Sequence, residues 1–76
     1  PLRVVVPITG WKESFTQAPW LVRLEPDSSN NLDKVSAADA FQVRSVSETR
    51  FLDRRGSLVP ADMVRVEEAV RTVLGL

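Results

Sequence analysis

The sequence has no cysteine, no histidine and no tyrosine, and only three glycines, in 76 residues. Without cysteine there is no disulfide and no thiolate metal cage. Without histidine, a zinc or copper site is disfavoured, and any proton transfer must use other side chains. The glycines are not clustered, so there is no phosphate-binding glycine loop. Long apolar runs are also missing. A bilayer span needs roughly 20 apolar residues, and the longest candidate here, Val4 to Ile8, contains Pro7. The start lacks a basic region followed by a long apolar stretch, so no signal peptide is read and the cytoplasm is the default location. Neither sign of charge dominates: ten basic and ten acidic residues cancel. That excludes a purely electrostatic nucleic-acid binder. It leaves room for a local basic groove, since six of the ten basic residues lie from Arg44 onward.

What is present is an ordinary globular mixture, 43% hydrophobic and 26% charged. The length allows one modest core, and a chain this short gains from a partner surface. One domain spanning residues 1–76 is expected, as a subunit of an oligomer. The chain begins with Pro1 and runs at once into a β-pattern, which suggests that something upstream was processed away or left out.

Leu2 to Thr9 reads as a strand. Val4, Val5 and Val6 favour a pleated surface and fill both faces, predicting a central strand. Pro7 cannot donate to a ladder, so it marks a strand end or a bulge. Trp20 to Glu25 alternates, with Trp20, Val22 and Leu24 on the inner face. Pro26 to Asn31 is the clearest turn. Val35 to Val46 is a further strand region, interrupted, with Phe41, Val43 and Ser45 on one face and Gln42, Arg44 and Val46 on the other. Ser47 to Gly56 is a polar turn or short helical connection.

Pro60 to Leu74 has helical spacing at Met63, Val66, Val70, Val73 and Leu74, a stripe that reads as core. Pro60 suits the first helical position, and Asp62 in the first turn complements the helix dipole. Gly75 is the expected stop, while Val59 is a poor N-cap. Three strands and a helix are too few to close a barrel. Other strands or a partner chain must cover the remaining edges.

Chemistry is sparse. Asp39 and Glu48 are the only pair of carboxylates worth considering together, and nothing fixes their separation, so they read as solvated charges. Thr9, Gln42, Arg44 and Ser45 are the polar group of interest. Read structurally, they are a β-branched strand residue and a polar outer face. Read functionally, arginine offers a donor fork matched to phosphate, and threonine and glutamine donate or accept beside it. Such a group can stabilise charge developing at phosphorus or bind a nucleic-acid backbone. Trp11 and the neighbouring aromatics Phe15 and Trp20, beside Lys12 and Arg23, can stack single-stranded bases. Core packing is the simpler reading of Phe15 and Trp20.

Three segments resemble the MazF/PemK toxins of toxin–antitoxin systems. Val5-Val6-Pro7-Ile8-Thr9 is similar to the family's V-P-I-T strand. Gln42-Val43-Arg44-Ser45-Val46 resembles its Q-[VI]-R-[ST]-[LV] strand. Gly56 to Gly75, with Pro60, Met63, Val66, Ala69 and Leu74-Gly75-Leu76, resembles its C-terminal ending. Order and spacing agree across nearly the whole chain.

The resemblance implies a mainly β fold with a C-terminal helix, an SH3-like small barrel working as a homodimer. It implies an endoribonuclease that cuts single-stranded mRNA without metal or cofactor, through 2′-hydroxyl attack to give a 2′,3′-cyclic phosphate, and a cognate antitoxin that blocks the RNA groove. Thr9 matches the family's catalytic threonine and Gln42 an RNA-contacting glutamine. Arg44 and Ser45 match strand positions suited to binding or support, and Pro7, Trp11 and Lys12 flank Thr9 as RNA-binding candidates.

Against that pattern, the chain starts where the family's third strand would. The first strands, and the segment carrying a catalytic arginine, have no counterpart here. Phe41 stands where many members carry an acid, and Val59 where they carry a serine cap. Two functions follow from this comparison: an endoribonuclease, or a non-catalytic fragment that engages antitoxin, nucleic acid or its own copy.

Overall fold

Pro7 divides the first apolar segment between two sheets. In the computed structural model, which describes residues 1–76, β1 (Leu2–Val5) and β2 (Ile8–Gly10) belong to different ladders. Proline supplies no N–H, so the first ladder stops there. Its carbonyl is used: the Asp39 amide donates to it at 2.9 Å.

The three valines predict a central strand, and the structure corrects this. β1 pairs only with β5 (Arg44–Ser47), antiparallel, and Leu2 and Val4 are 70% and 73% exposed. β-branching favours the extended backbone whether or not a second layer covers it.

The second sheet runs β2–β4–β3, all antiparallel, with β3 at Leu21–Leu24 and β4 at Ser36–Asp39. The alternation read from the sequence holds in β3: Val22 and Leu24 are buried, Arg23 is exposed. Trp20, expected in the core, is instead exposed at the margin of the sheet, packed edge-on to Phe41 with ring centroids 5.7 Å apart.

The strand region 35–46 is interrupted by a 3-10 turn, Ala40–Gln42. The Asp39 carboxylate accepts from the Phe41 amide at 3.1 Å. The Ala40 amide donates to the Trp20 carbonyl at 2.9 Å. After this turn the chain leaves β4 and enters β5. Five short strands therefore replace the three that the sequence predicts, because both long segments change sheets at the Pro7–Asp39 level.

The turn at 26–31 is organised by Asn30, which is buried. Its side-chain oxygen accepts from the amides of Asp27 and Leu32, and its Nδ2 donates to the Glu25 carbonyl. Gly56 lies against this turn. A Cβ there would fall 2.6 Å from the Ser29 carbonyl oxygen, a contact that only glycine avoids.

α1 spans Pro60–Leu74, as its spacing predicts. Val59 provides no side-chain cap. At the other end Gly75 adopts φ 75°; its amide donates to the Thr72 carbonyl and the Leu76 amide to the Arg71 carbonyl. That is the Schellman arrangement, and it satisfies carbonyls otherwise left open.

Val66 and Ala69 bury against Val22, Leu24, Ala38 and Ala40 to form the core, with Val70 and Val73 packed beside it. The ends of the expected apolar stripe are not core: Met63 is 43% and Leu74 58% exposed. They line an open apolar groove of about 340 Å³ together with Val4, Val6, Val43 and Val70. No helix is long and apolar enough to cross a membrane.

Asp39→Ala removes the acceptor that shapes the 40–42 turn. Unfolding in urea is expected to show a loss of about 1 kcal/mol, with faster hydrogen exchange at the Phe41 amide. Unchanged stability and exchange would show that the turn forms without its cap.

Candidate functional site

Side chains alternate along the first segment, and the alternation survives the Pro7 break. Val4 and Val6 face the groove beside α1. Ile8, next in this series, pairs with Ala38 of the core. The other set, Val5, Pro7, Thr9 and Trp11, therefore occupies the opposite side, away from α1. Directly opposed residues of neighbouring strands share a face. Arg44, opposite Val5, thus joins the side of Thr9. Ala37 pairs with both Thr9 and Arg23, so Thr9, Ala37 and Arg23 form one row across the second sheet.

Thr9 is exposed near the start of β2, one residue before Gly10. Its hydroxyl has no hydrogen-bond partner within the chain, and neither does the exposed guanidinium of Arg44. Thr9 lies four residues on from Val5 across the Pro7 break, at most about 13 Å away along the chain. Arg44 and Thr9 share this face and make no hydrogen bond to each other. Pro7 is half-buried between them.

Two members of the sequence-derived group lie elsewhere. Gln42 does not share a strand face with Arg44, because it ends the 3-10 turn before β5. The cause is the Asp39 cap, which bends the chain where the sequence alternates without interruption. Gln42 is exposed at the seam between the two sheets. Ser45 is opposite Val4 and so faces the groove side, not the side of Thr9.

Trp11 extends β2: its amide donates to the Val35 carbonyl at 3.1 Å. The ring is half-buried and already engaged, with Phe15 packed edge-on at 5.6 Å and the Arg23 guanidinium 5.4 Å over its centroid. Its Nε1–H is buried without a partner. Lys12 is exposed in the following loop, ahead of the 3-10 helix Glu13–Gln17.

The face away from α1 thus carries the unburied polar side chains of Arg44, Thr9 and Arg23: Arg44 lies along the strand direction from Thr9, Arg23 lies across the sheet from it, and Asp39 ends β4 on the same face. It is an extended track rather than a pocket, able to contact successive groups of a chain-like anion. No group of three or more acidic, histidine or cysteine side chains gathers to hold a metal ion. Sequence reasoning placed Arg23 only as a companion to the aromatics. The signal for its position was its place in the alternating β3 strand, but the register with β4 that aligns it with Thr9 is not visible in the sequence.

Comparison with known proteins adds a family. Residues 1–74 match the family described as PemK-like, MazF-like toxin of type II toxin-antitoxin system. A curated relative, "Probable endoribonuclease MazF" of Mycolicibacterium smegmatis, is 37% identical over 73 residues. That match covers 95% of this chain and 64% of the relative, so the chain spans just under two thirds of the relative's length. Among solved structures, "Mycobacterium tuberculosis toxin MazF-mt6" superposes with a TM-score of 0.79 at 17% identity, covering 99% of this chain and 71% of that one. At that identity the superposition speaks for the fold, a mainly β architecture with one C-terminal helix, although the strands of this chain do not close into a barrel by themselves.

Proposed function

Because this chain belongs to the PemK-like, MazF-like toxin family of type II toxin–antitoxin systems, we propose that it supplies the RNA-contacting face of an endoribonuclease toxin. The substrate is single-stranded mRNA, cut at short sequences in the cytoplasm. One observation carries this reading: Thr9 and Arg44, both free of intramolecular partners, stand on one exposed face, brought there by the Pro7 crossing.

The reaction is attack of a ribose 2′-hydroxyl on the adjacent phosphorus. The P–O5′ bond breaks, leaving a 2′,3′-cyclic phosphate and a 5′-hydroxyl. The 2′-hydroxyl loses a proton and the departing 5′ oxygen gains one. Thr9 both donates and accepts through its hydroxyl, which suits a group contacting the reacting oxygens. Arg44 donates to a neighbouring phosphate and holds the strand in register. Gln42, at the seam, is suited to a base edge because an amide offers both a donor and an acceptor. Lys12 adds a cation at the Trp11 end. Ser45, on the other side of the sheet, is placed away from Thr9 and takes no part in the RNA contact.

A protein partner belongs to the same proposal. Val4, Met63, Leu74 and Leu76 are exposed and line one apolar groove, the kind of patch that marks an interaction surface. Burial against a second copy is the reading that fits a homodimeric toxin, and the cognate antitoxin is the other protein this family implies. A non-catalytic role, in which the same face binds RNA without cutting it, is the competing outcome of the tests.

In the protein as its gene encodes it, Thr9→Ala is expected to lower RNA cleavage by roughly 10²–10⁴-fold while RNA binding stays within about twofold of wild type. Arg44→Ala is expected to weaken binding itself. Mapped RNA ends and filter binding distinguish the two effects. Cleavage unchanged by Thr9→Ala would remove it from the reacting centre; binding without cleavage by the unmodified protein would favour the non-catalytic role. Light scattering of the 76-residue chain should give a mass above that of the monomer, and a stable monomer at high concentration would contradict the proposed association.

A further inference from the structure

Arg23 stands out among the basic residues because three independent contacts fix where it sits. Its place in β3 puts it in one row with Ala37 and Thr9. Its guanidinium carbon lies 5.4 Å over the Trp11 ring, within the range of a cation–π contact. Its Nε donates to the Glu25 carboxylate at 3.1 Å. The side chain is still 46% exposed, and its two terminal nitrogens donate to nothing in the chain.

The intervening residue matters. Ala37 is fully buried beneath this row. With no exposed surface, Ala37 is covered by its neighbours and offers no contact of its own between Thr9 and Arg23. Two strand spacings separate the rows' ends, about 10 Å between backbones. The side chain crosses toward the Trp11 end of this face, and its two terminal nitrogens are left free there.

Resting on the reading that RNA lies on this face, we infer that Arg23, held over Trp11 and anchored through Nε by Glu25, is a phosphate-binding subsite for a nucleotide beside the one at Thr9. Trp11 then acts as the platform for the guanidinium rather than as the base-stacking surface itself, since one side of its ring is already covered. The two free terminal nitrogens give the forked geometry that matches phosphate oxygens. Together with Arg44, which lies along the strand direction from Thr9, Arg23 gives the backbone a second contact on this face. The contact carries no sequence information, so it adds affinity and position, not base choice.

The test is the salt dependence of binding. A single-stranded RNA oligonucleotide is titrated onto the protein at several salt concentrations, and log K is plotted against log salt. Each phosphate contact to a single strand contributes about 0.7 to the slope. Arg23→Ala should reduce the slope by about that amount, Arg23→Lys should retain most of it, and the cleavage sequence should not change. If the alanine variant fails to fold, Arg23→Gln keeps the stem over Trp11 and should show the same reduction. Arg71→Ala, on the helix side of the molecule, should leave the slope alone. An unchanged slope in the Arg23 variants, with wild-type protein binding RNA normally, overturns the subsite and leaves the RNA-facing reading standing. Equal reductions from Arg23 and Arg71 overturn it too, because the charge effect is then not local. Failure of the wild-type protein to bind RNA overturns both.

Discussion

The hydrogen bond from the Asp39 amide to the Pro7 carbonyl is the point on which the architecture turns. Pro7 cannot continue a ladder through its nitrogen, so the first segment must leave one sheet there. Asp39 occupies the corresponding place on the return path, and its carboxylate starts the tight turn that carries the chain from β4 to β5. Two strands thus change sheets at the same height. Because they cross together, the faces of the two sheets stay in phase across the seam. Thr9 from the second sheet and Arg44 from the first end on the same side for that reason alone.

The molecule then divides into two surfaces of different character. The side toward α1 is apolar: Val66 and Ala69 fill it where the helix reaches the sheet, and Val4, Val6 and Val43 leave it open where the helix does not. The side away from α1 is mixed: Thr9, Arg23 and Arg44 are exposed, while Trp11, Pro7 and Val5 are half-buried and Ala37 is buried. A small domain gains little core from a single helix on short strands. The seven buried apolar residues are mostly alanine and valine, with Leu24 the only large side chain fully buried. Stability and association are therefore linked: burying the open apolar side against another protein would stabilise the same sheets that present the polar face.

Much of this was legible in the sequence, for physical reasons that differ by element. The helix was readable from end to end because proline, spacing and glycine each mark it independently. The Trp20–Glu25 strand was readable because one face is buried and the other is wet. The Pro26–Asn31 turn was readable from residue type, although the burial of Asn30 and its docking on Gly56 are long-range and leave no local signature. The 40–42 turn was hidden, since Phe41 to Val46 alternates as a strand would, and the decisive interaction is a capping carboxylate. That single miss put Gln42 and Arg44 on one face and made Thr9, Gln42, Arg44 and Ser45 look like a cluster. The structure spreads them into a track, a turn and an opposite side. Pro7 was correctly suspected of ending a strand, but its consequence, a change of sheet that keeps the faces in phase, depends on Asp39 some thirty residues away.

The central claim is that RNA meets the face away from α1. Nuclear magnetic resonance measures this directly: amide shifts of the 76-residue chain are followed while a short single-stranded RNA is added, with no need for cleavage. The largest changes are expected at Thr9, Trp11, Arg23 and Arg44, with α1 little affected. Changes concentrated instead along Met63, Val70 and Leu74 at the apolar groove, or none at all, would contradict it.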